Sequence, residues 1–494
     1  MRLLAATLAL CGCNQIYGLE PTGSRDAAPD AQYRQVRLSM LVGQTTDAAN
    51  EAPAFLAAVA PDPKPRIALA SEPLESAAYV ADSTSGTIDY PPSFVGQPWR
   101  LEYTPPNDVP SEVQWSPADG SGHLIVPFVG RMERTTVPAG TGFTLSMKLP
   151  NQVLYNFTPE TVIYTSGYWS ATPSTVQTLT PAIDFSVAAS MSGPRGAPSA
   201  SAKDYVFAID YRIDSGCRVT KAAGTARVPE LEAGTMKPVE LVVESNSEMV
   251  EATYESELPM HAQTRLQQAL GTRSDDQTGS TLYYGRIAHA GLPGFTTSIA
   301  GVPAPLIVPL AECPAVTLQP PAVFDLGGGL AFTKAMYVFV SNDRIVNGAK
   351  LRSSIAAIGR LKTGNGTYQA TLSVPCATQV KLGGQDLEVT DAVSIGSTPL
   401  DLTFAVDTTS FVVDYFEVVL YRIANATLEP IRTYVGPDPA KPSIRFDPKV
   451  MMPNDDYVFA IRTYRGRPNA RNADFQTVQG AQAVATIFTR TFKR

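Results

Sequence analysis

"DYVFAIDYR" (Asp204–Arg212) and "DYVFAIRTYR" (Asp456–Arg465) share their first six residues although they lie more than half the chain apart. Alternation decides how both are read. In the first, Tyr205, Phe207, Ile209 and Tyr211 fall on one side of an extended chain, with Val206, Ala208, Asp210 and Arg212 on the other. In the second, Tyr457, Phe459, Ile461 and Thr463 are opposed by Val458, Ala460 and Arg462. One apolar side and one side turning polar along its length describe half-buried strands, with the Tyr/Phe/Ile side expected in the core. A third segment, "DYFEVVLYRI" (Asp414–Ile423), matches the first copy at Asp-Tyr and at Tyr-Arg-Ile. Such strings arise readily wherever a pleated surface is half buried, so shared strand chemistry is favoured over a duplicated functional site.

Working outward, short alternating runs separated by turns fill most of the 494 residues, and 41 prolines punctuate them. The fold class is therefore expected to be all-β, a tandem of β-sandwich domains with one short helical connecting segment. Sandwiches are expected over 34–132 and 133–246, a connecting segment over 247–320, a further β-rich domain over 321–389 and a last sandwich over 390–494. The helix is "LPMHAQTRLQQALG" (Leu258–Gly271): Pro259 can open it, Leu266 and Leu270 share a face, and Gly271 can close it. A net charge of -7, with charged residues at 17%, argues against a nucleic-acid-binding protein.

The chain opens "MRLLAATLALCGC", one positive charge, a short apolar run and then small residues at a cysteine, which is the layout of a secretory signal. Leu10-Cys11-Gly12-Cys13 resembles the bacterial lipobox. That resemblance implies a signal peptide over 1–12, lipidation at Cys13, and a protein that is exported and held to a membrane by lipid. Asn14 in place of Asp then favours the outer membrane or cell surface. Residues 13–33 read as a flexible tether rich in Ala, Asp, Pro and Gly. "GCNQIYGLEPT" (Gly12–Thr22) with that tether is similar to the start of lipoproteins of myxobacteria and their relatives.

Two further resemblances concern the sandwiches. Ser76–Pro105 resembles transthyretin-like modules of bacterial surface proteins, within a broader immunoglobulin-like pattern. At the carboxy end, Met451-Met452-Pro453-Asn454-Asp455-Asp456-Tyr457 matches the spacing Leu-x-Pro-Gly-Thr-x-Tyr of fibronectin type III domains, with Met for Leu and Asn for Gly. By that resemblance Tyr457 is a corner tyrosine, ring in the core and hydroxyl returned to an upstream backbone group, and Phe404 replaces the usual core tryptophan. The first copy follows "SASAK" and has no such corner, so the two strands are expected at different places in their sandwiches.

The chemistry available is narrow. There are three histidines, no Gly-x-Ser-x-Gly elbow, no His-Glu-x-x-His and no Cys-x-x-Cys, so no catalytic residue, metal ligand or cofactor is assigned. Cys313 and Cys376 could staple one domain, buried thiols being the other reading. Tyr168 and Trp169 adjoin a Gly-Ser turn, and as neighbours on a strand one of them should face outward, a platform for sugars, burial in the sandwich core being the other reading. From Tyr457 onward seven Arg and Lys residues stand against Asp474 alone. Arg465, Arg467 and Arg471 are the expected contacts for a polysaccharide or other anionic surface polymer, a solvated loop being the other reading. Two functions follow: a non-catalytic surface lipoprotein acting in binding, adhesion or scaffolding, or a surface hydrolase cutting glycans with a carboxylate pair.

Overall fold

A computed structural model describes residues 34–46, 51–58, 64–81, 86–94, 96–104, 109–115, 122–127, 137–149, 151–158, 161–165, 170–171, 179–186, 200, 205–214, 217–243, 248–254, 259–271, 282–290, 306–308, 315–318, 333–362, 367–370, 372–389, 393–436, 438–440, 442–470, 475 and 482–494. Its elements are almost all strands, as the alternation requires.

The amino-terminal unit contains β1 (Arg34–Thr46), β2 (Glu51–Ala58), β3 (Arg66–Leu69), β4 (Glu75–Ser76), β5 (Tyr79–Ala81), β6 (Gly86–Tyr90), β7 (Trp99–Tyr103), β8 (Ser111–Trp115) and β9 (Gly122–Pro127). One sheet runs β2-β1-β6-β5, with β9 joined parallel to β1. Strands β3, β4, β7 and β8 pair separately. Between the two lie Val36, Leu38, Ile88 and Tyr90 from the first set and Ile67, Trp99, Leu101 and Val113 from the second. That arrangement is a sandwich, with the Trp99 indole buried at its centre and tilted against Tyr90 at 5.3 Å.

The second unit carries β10 (Gly142–Met147), β11 (Val162–Thr165), β12 (Ser170–Ala171), β13 (Ala182–Asp184), β14 (Tyr205–Asp214), β15 (Cys217–Arg227) and β16 (Met236–Val243), in the order β12-β11-β14-β15-β16-β10-β13. Its core takes Phe143, Leu145 and Met147 from β10, Val239 and Leu241 from β16, and Val206 and Ala208 from β14. This corrects the expected facing of the first copy: the Val206/Ala208/Asp210 side turns inward.

Next come β17 (Glu248–Tyr254), the helix α1 (Pro259–Leu270), β18 (Leu282–Ala290), β19 (Leu306–Val308), β20 (Ala315–Leu318), β21 (Thr333–Val346), β22 (Ala349–Lys362) and β23 (Thr367–Ala370). The long hairpin β21–β22 turns at Asn347-Gly348, both at positive φ, the conformation that Asn and Gly tolerate best. Helix α1 begins at Pro259 and stops before Gly271 at φ +51°, and it buries Ala262, Leu266, Ala269 and Leu270. No helix among the described residues is long and apolar enough to cross a bilayer.

The last unit holds β24 (Thr378–Leu382), β25 (Gln385–Asp386), β26 (Val393–Ser394), β27 (Leu400–Ala405), β28 (Tyr415–Ala424), β29 (Thr427–Gly436), β30 (Ser443–Phe446), β31 (Asp456–Arg465), β32 (Gln482–Phe488) and β33 (Phe492–Lys493). The sheet β25-β24-β27-β30 faces a second built from β29, β28, β31 and β33. The expected start at residue 390 falls inside this sandwich, because β24 and β25 already belong to it. Tyr457, Phe459 and Ile461 of the second copy point into its core with Phe404, Phe416, Phe446 and Phe492. Val458 and Ala460 are also buried, on the opposite side, against Leu351, Val419 and Phe488. β32 pairs with both β31 and β22 and so joins this unit to the preceding hairpin.

The amino-terminal unit is joined to the last one as well. β8 lies parallel to β29, with Ser111, Glu112 and Val113 opposite Thr433, Tyr434 and Val435. Ala470 and Phe475 enter the core around Trp99.

Candidate functional site

A groove of about 520 Å³ lies between α1 and the start of the last sandwich. Its helix wall is His261, Thr264, Arg265 and Gln268, spaced at i, i+3, i+4 and i+7 on one stripe, with Ala269 beside them, while Ala262 and Leu266 anchor the other side in the core. Across from it stand Pro375, Cys376 and Thr378 at the entrance to β24, and Asp407 and Phe411 in the loop that follows β27. The Arg265 guanidinium sits 4.7 Å from the centre of the Phe411 ring, and its Nη2 donates to the Leu372 carbonyl at 2.7 Å. Asp407 caps its own turn: the Thr409 hydroxyl donates at 2.7 Å, and the Thr409 and Ser410 N–H groups at 3.0 and 3.1 Å. Those hydrogen bonds, led by the Thr409 hydroxyl, pull its carboxyl down to about 2, so it is ionised at neutral pH.

The two copies that open the sequence end in different chemistry. In the first, Asp210 is 1% exposed and accepts hydrogen bonds from the hydroxyls of Tyr155, Thr158 and Thr161, the last at 3.0 Å. Its counterpart in the second copy is Arg462, which donates to Glu417 at 3.5 Å and to the Tyr421 hydroxyl at 3.2 Å. Opposite charges at the same place in the string make these two strands, each completing its own polar network, and not two copies of one site.

Tyr457 is buried, and its hydroxyl accepts a hydrogen bond from the Met452 N–H at 2.8 Å. Asn454, standing where the corner motif has Gly, adopts φ +67°, a left-handed conformation that Asn tolerates better than most side chains. Phe404 packs edge-on against Phe416 at 5.0 Å.

The basic end is largely engaged by its own chain. Arg467 is 6% exposed. Its guanidinium donates to the Phe475 carbonyl and its backbone N–H to Asp414 at 2.7 Å, so it is corrected from a surface contact to a loop anchor. Arg465 is half buried, with Nη1 3.5 Å from the Ser373 carbonyl. Arg494 donates to the Met451 carbonyl at 2.8 Å, and Lys493 pairs with Asp456 at 3.2 Å. Cys376 is buried in the groove wall. Cys13, Tyr168, Trp169, Cys313 and Arg471 lie outside the described residues.

A cluster of five charges sits where β8 meets β29. Arg432 reaches both Glu102 and Glu112, the second at 3.1 Å; Arg66 donates to Glu102 at 2.7 Å, and Arg100 lies 3.6 Å from Glu112. Burial pushes the Glu112 carboxyl up and the Arg432 guanidinium down, each against the charged form.

No family model and no curated protein matches the chain. Among solved structures it is similar to the FN1–FN3 domains of chicken CNTN1, at 9% identity, covering 93% of this chain and 99% of that one with a TM-score of 0.14. It is also similar to immunoglobulin domains 1–4 of Sidekick-1, at 7% identity over 92% and 95% of the two chains with a TM-score of 0.11. At such scores the all-β sandwich assignment stands on the strands and cores described above.

Proposed function

We propose that this chain is a non-catalytic, exported surface protein, anchored by lipid at Cys13, whose sandwiches serve as a binding, adhesion or scaffolding module. The anchor and export rest on the opening sequence, and the observation that supports the non-catalytic part is the condition of the buried acids. Glu102 and Glu112 share Arg432, Asp210 is held by three hydroxyls, and Asp414 accepts the Gly466 and Arg467 N–H groups at 2.6 and 2.7 Å. Each of these carboxylates completes a local structure. A glycosidase needs a pair of acids on either side of a bound sugar. Glu102 and Glu112 are near one another, but Arg432 stands between them and both are almost wholly buried.

The partner class is a surface polysaccharide or another anionic surface polymer, with Arg465 and Arg471 left as the basic contacts once Arg467 is removed from the set. Fractionation tests the anchor: Cys13→Ala is expected to move the protein from the membrane to the soluble fraction, and unchanged partitioning overturns it. Incubation with surface glycans tests the absence of catalysis, the expected result being no new reducing ends.

A further inference from the structure

We infer that the groove beneath α1 binds a neutral saccharide unit. The inference rests on the reading of the chain as a binding module and supplies the ligand class for one site on it. The helix wall presents the donors of Arg265 and Gln268 together with the Thr264 hydroxyl, and the facing wall presents the ionised Asp407 carboxylate. An anion entering this space meets Asp407, and a cation meets Arg265. A ligand without net charge but dense in hydroxyls, each both donor and acceptor, suits the two walls at once.

Preorganisation points the same way. Arg265 is held by the Leu372 carbonyl and the Phe411 ring, and Asp407 by Thr409 and Ser410, so neither charged group needs ordering when a ligand arrives. Because the guanidinium is already partly engaged, it suits a shared hydrogen bond to a hydroxyl better than a bidentate grip on a carboxylate. Phe411, Pro375 and Ala269 add apolar surface for the C–H face of a pyranose ring, and the volume lies within the range of small-molecule sites.

The test uses the full chain carrying Cys13→Ala, titrated by calorimetry and NMR with cellobiose, maltose and N,N′-diacetylchitobiose, and with galacturonate and glycine as anionic and zwitterionic comparators. At least one of the neutral disaccharides should bind, with an affinity that barely changes between low and physiological salt. Gln268→Ala, at an exposed position, and Asp407→Asn, which keeps an acceptor for the turn, should each weaken it about tenfold. Three results overturn the inference: no binding of the three disaccharides at millimolar concentration, binding by both variants as tight as by the parent protein, or tighter binding of galacturonate or glycine. Hydrolysis of a bound disaccharide would instead overturn the non-catalytic reading while leaving the binding site in place.

Discussion

At the residue scale, Tyr457 shows how one hydroxyl fixes a corner. It acts as acceptor for the Met452 N–H, five residues upstream, and Met452 itself is exposed at 59%. Tyr457→Phe removes that acceptor but leaves the donor near water, so the cost should be about 1 kcal/mol, read from the urea midpoint, with faster hydrogen exchange at the Met452 amide. Asp210 is the more demanding case, since three hydroxyls converge on it away from solvent. Asp210→Asn should destabilise the second unit by about 2 kcal/mol or more. Burial and the Asp210 carboxylate push the Tyr155 phenol above its ordinary value of 10.0. The unfolded chain therefore ionises first: this contribution is whole below pH 10 and is lost as the pH rises beyond it. A urea series across that range should show the loss, and Tyr155→Phe should reduce it, the raised phenols of Tyr415, Tyr434, Tyr457 and Tyr464 in the last unit supplying the rest.

At the element scale, α1 and β31 were legible and the facing of β14 was not. Pro259, the Leu266/Leu270 spacing and Gly271 specify a helix through local physics alone, and the helix runs from Pro259 to Leu270. Period-two alternation likewise specifies a strand at Tyr205–Asp214, but both of its sides carry apolar residues. Which side meets the core is then decided by the hydroxyls that gather on Asp210, residues about fifty positions upstream. The groove was hidden for a related reason. Its helix stripe has a visible spacing, whereas Asp407 and Phe411 reach it from a distant loop that carries no local mark. A prediction at this scale concerns β10. A Cβ added at Gly142 would collide with the Ile183 carbonyl oxygen, inside the β10–β13 pair. Gly142→Ala should cost about 1–3 kcal/mol and expose the β13 amides to exchange, while the β8 and β29 amides stay protected.

At the scale of the whole molecule, the pairing of β8 with β29 brings together segments more than three hundred residues apart in sequence. No pattern in either segment announces such a partner, which is why the amino-terminal unit reads as self-contained. Arg432 closes the joint by reaching Glu102 and Glu112 together. Arg432→Met leaves those carboxylates buried with fewer partners, at an expected cost of about 3–5 kcal/mol, with loss of amide protection at Val113 and Val435. Unchanged protection at those amides would show that the strand pair holds without the charges.

That joint also sets the path of mechanical load. A pull between the amino-terminal sandwich and the carboxy terminus crosses directly from β8 to β29, so the second unit hangs as a slack side loop outside that path. In single-molecule stretching the first rupture should be the joint itself, and the bypassed second unit should begin to unfold only after it. Arg432→Met should lower the force of that first event and leave the later ones where they were.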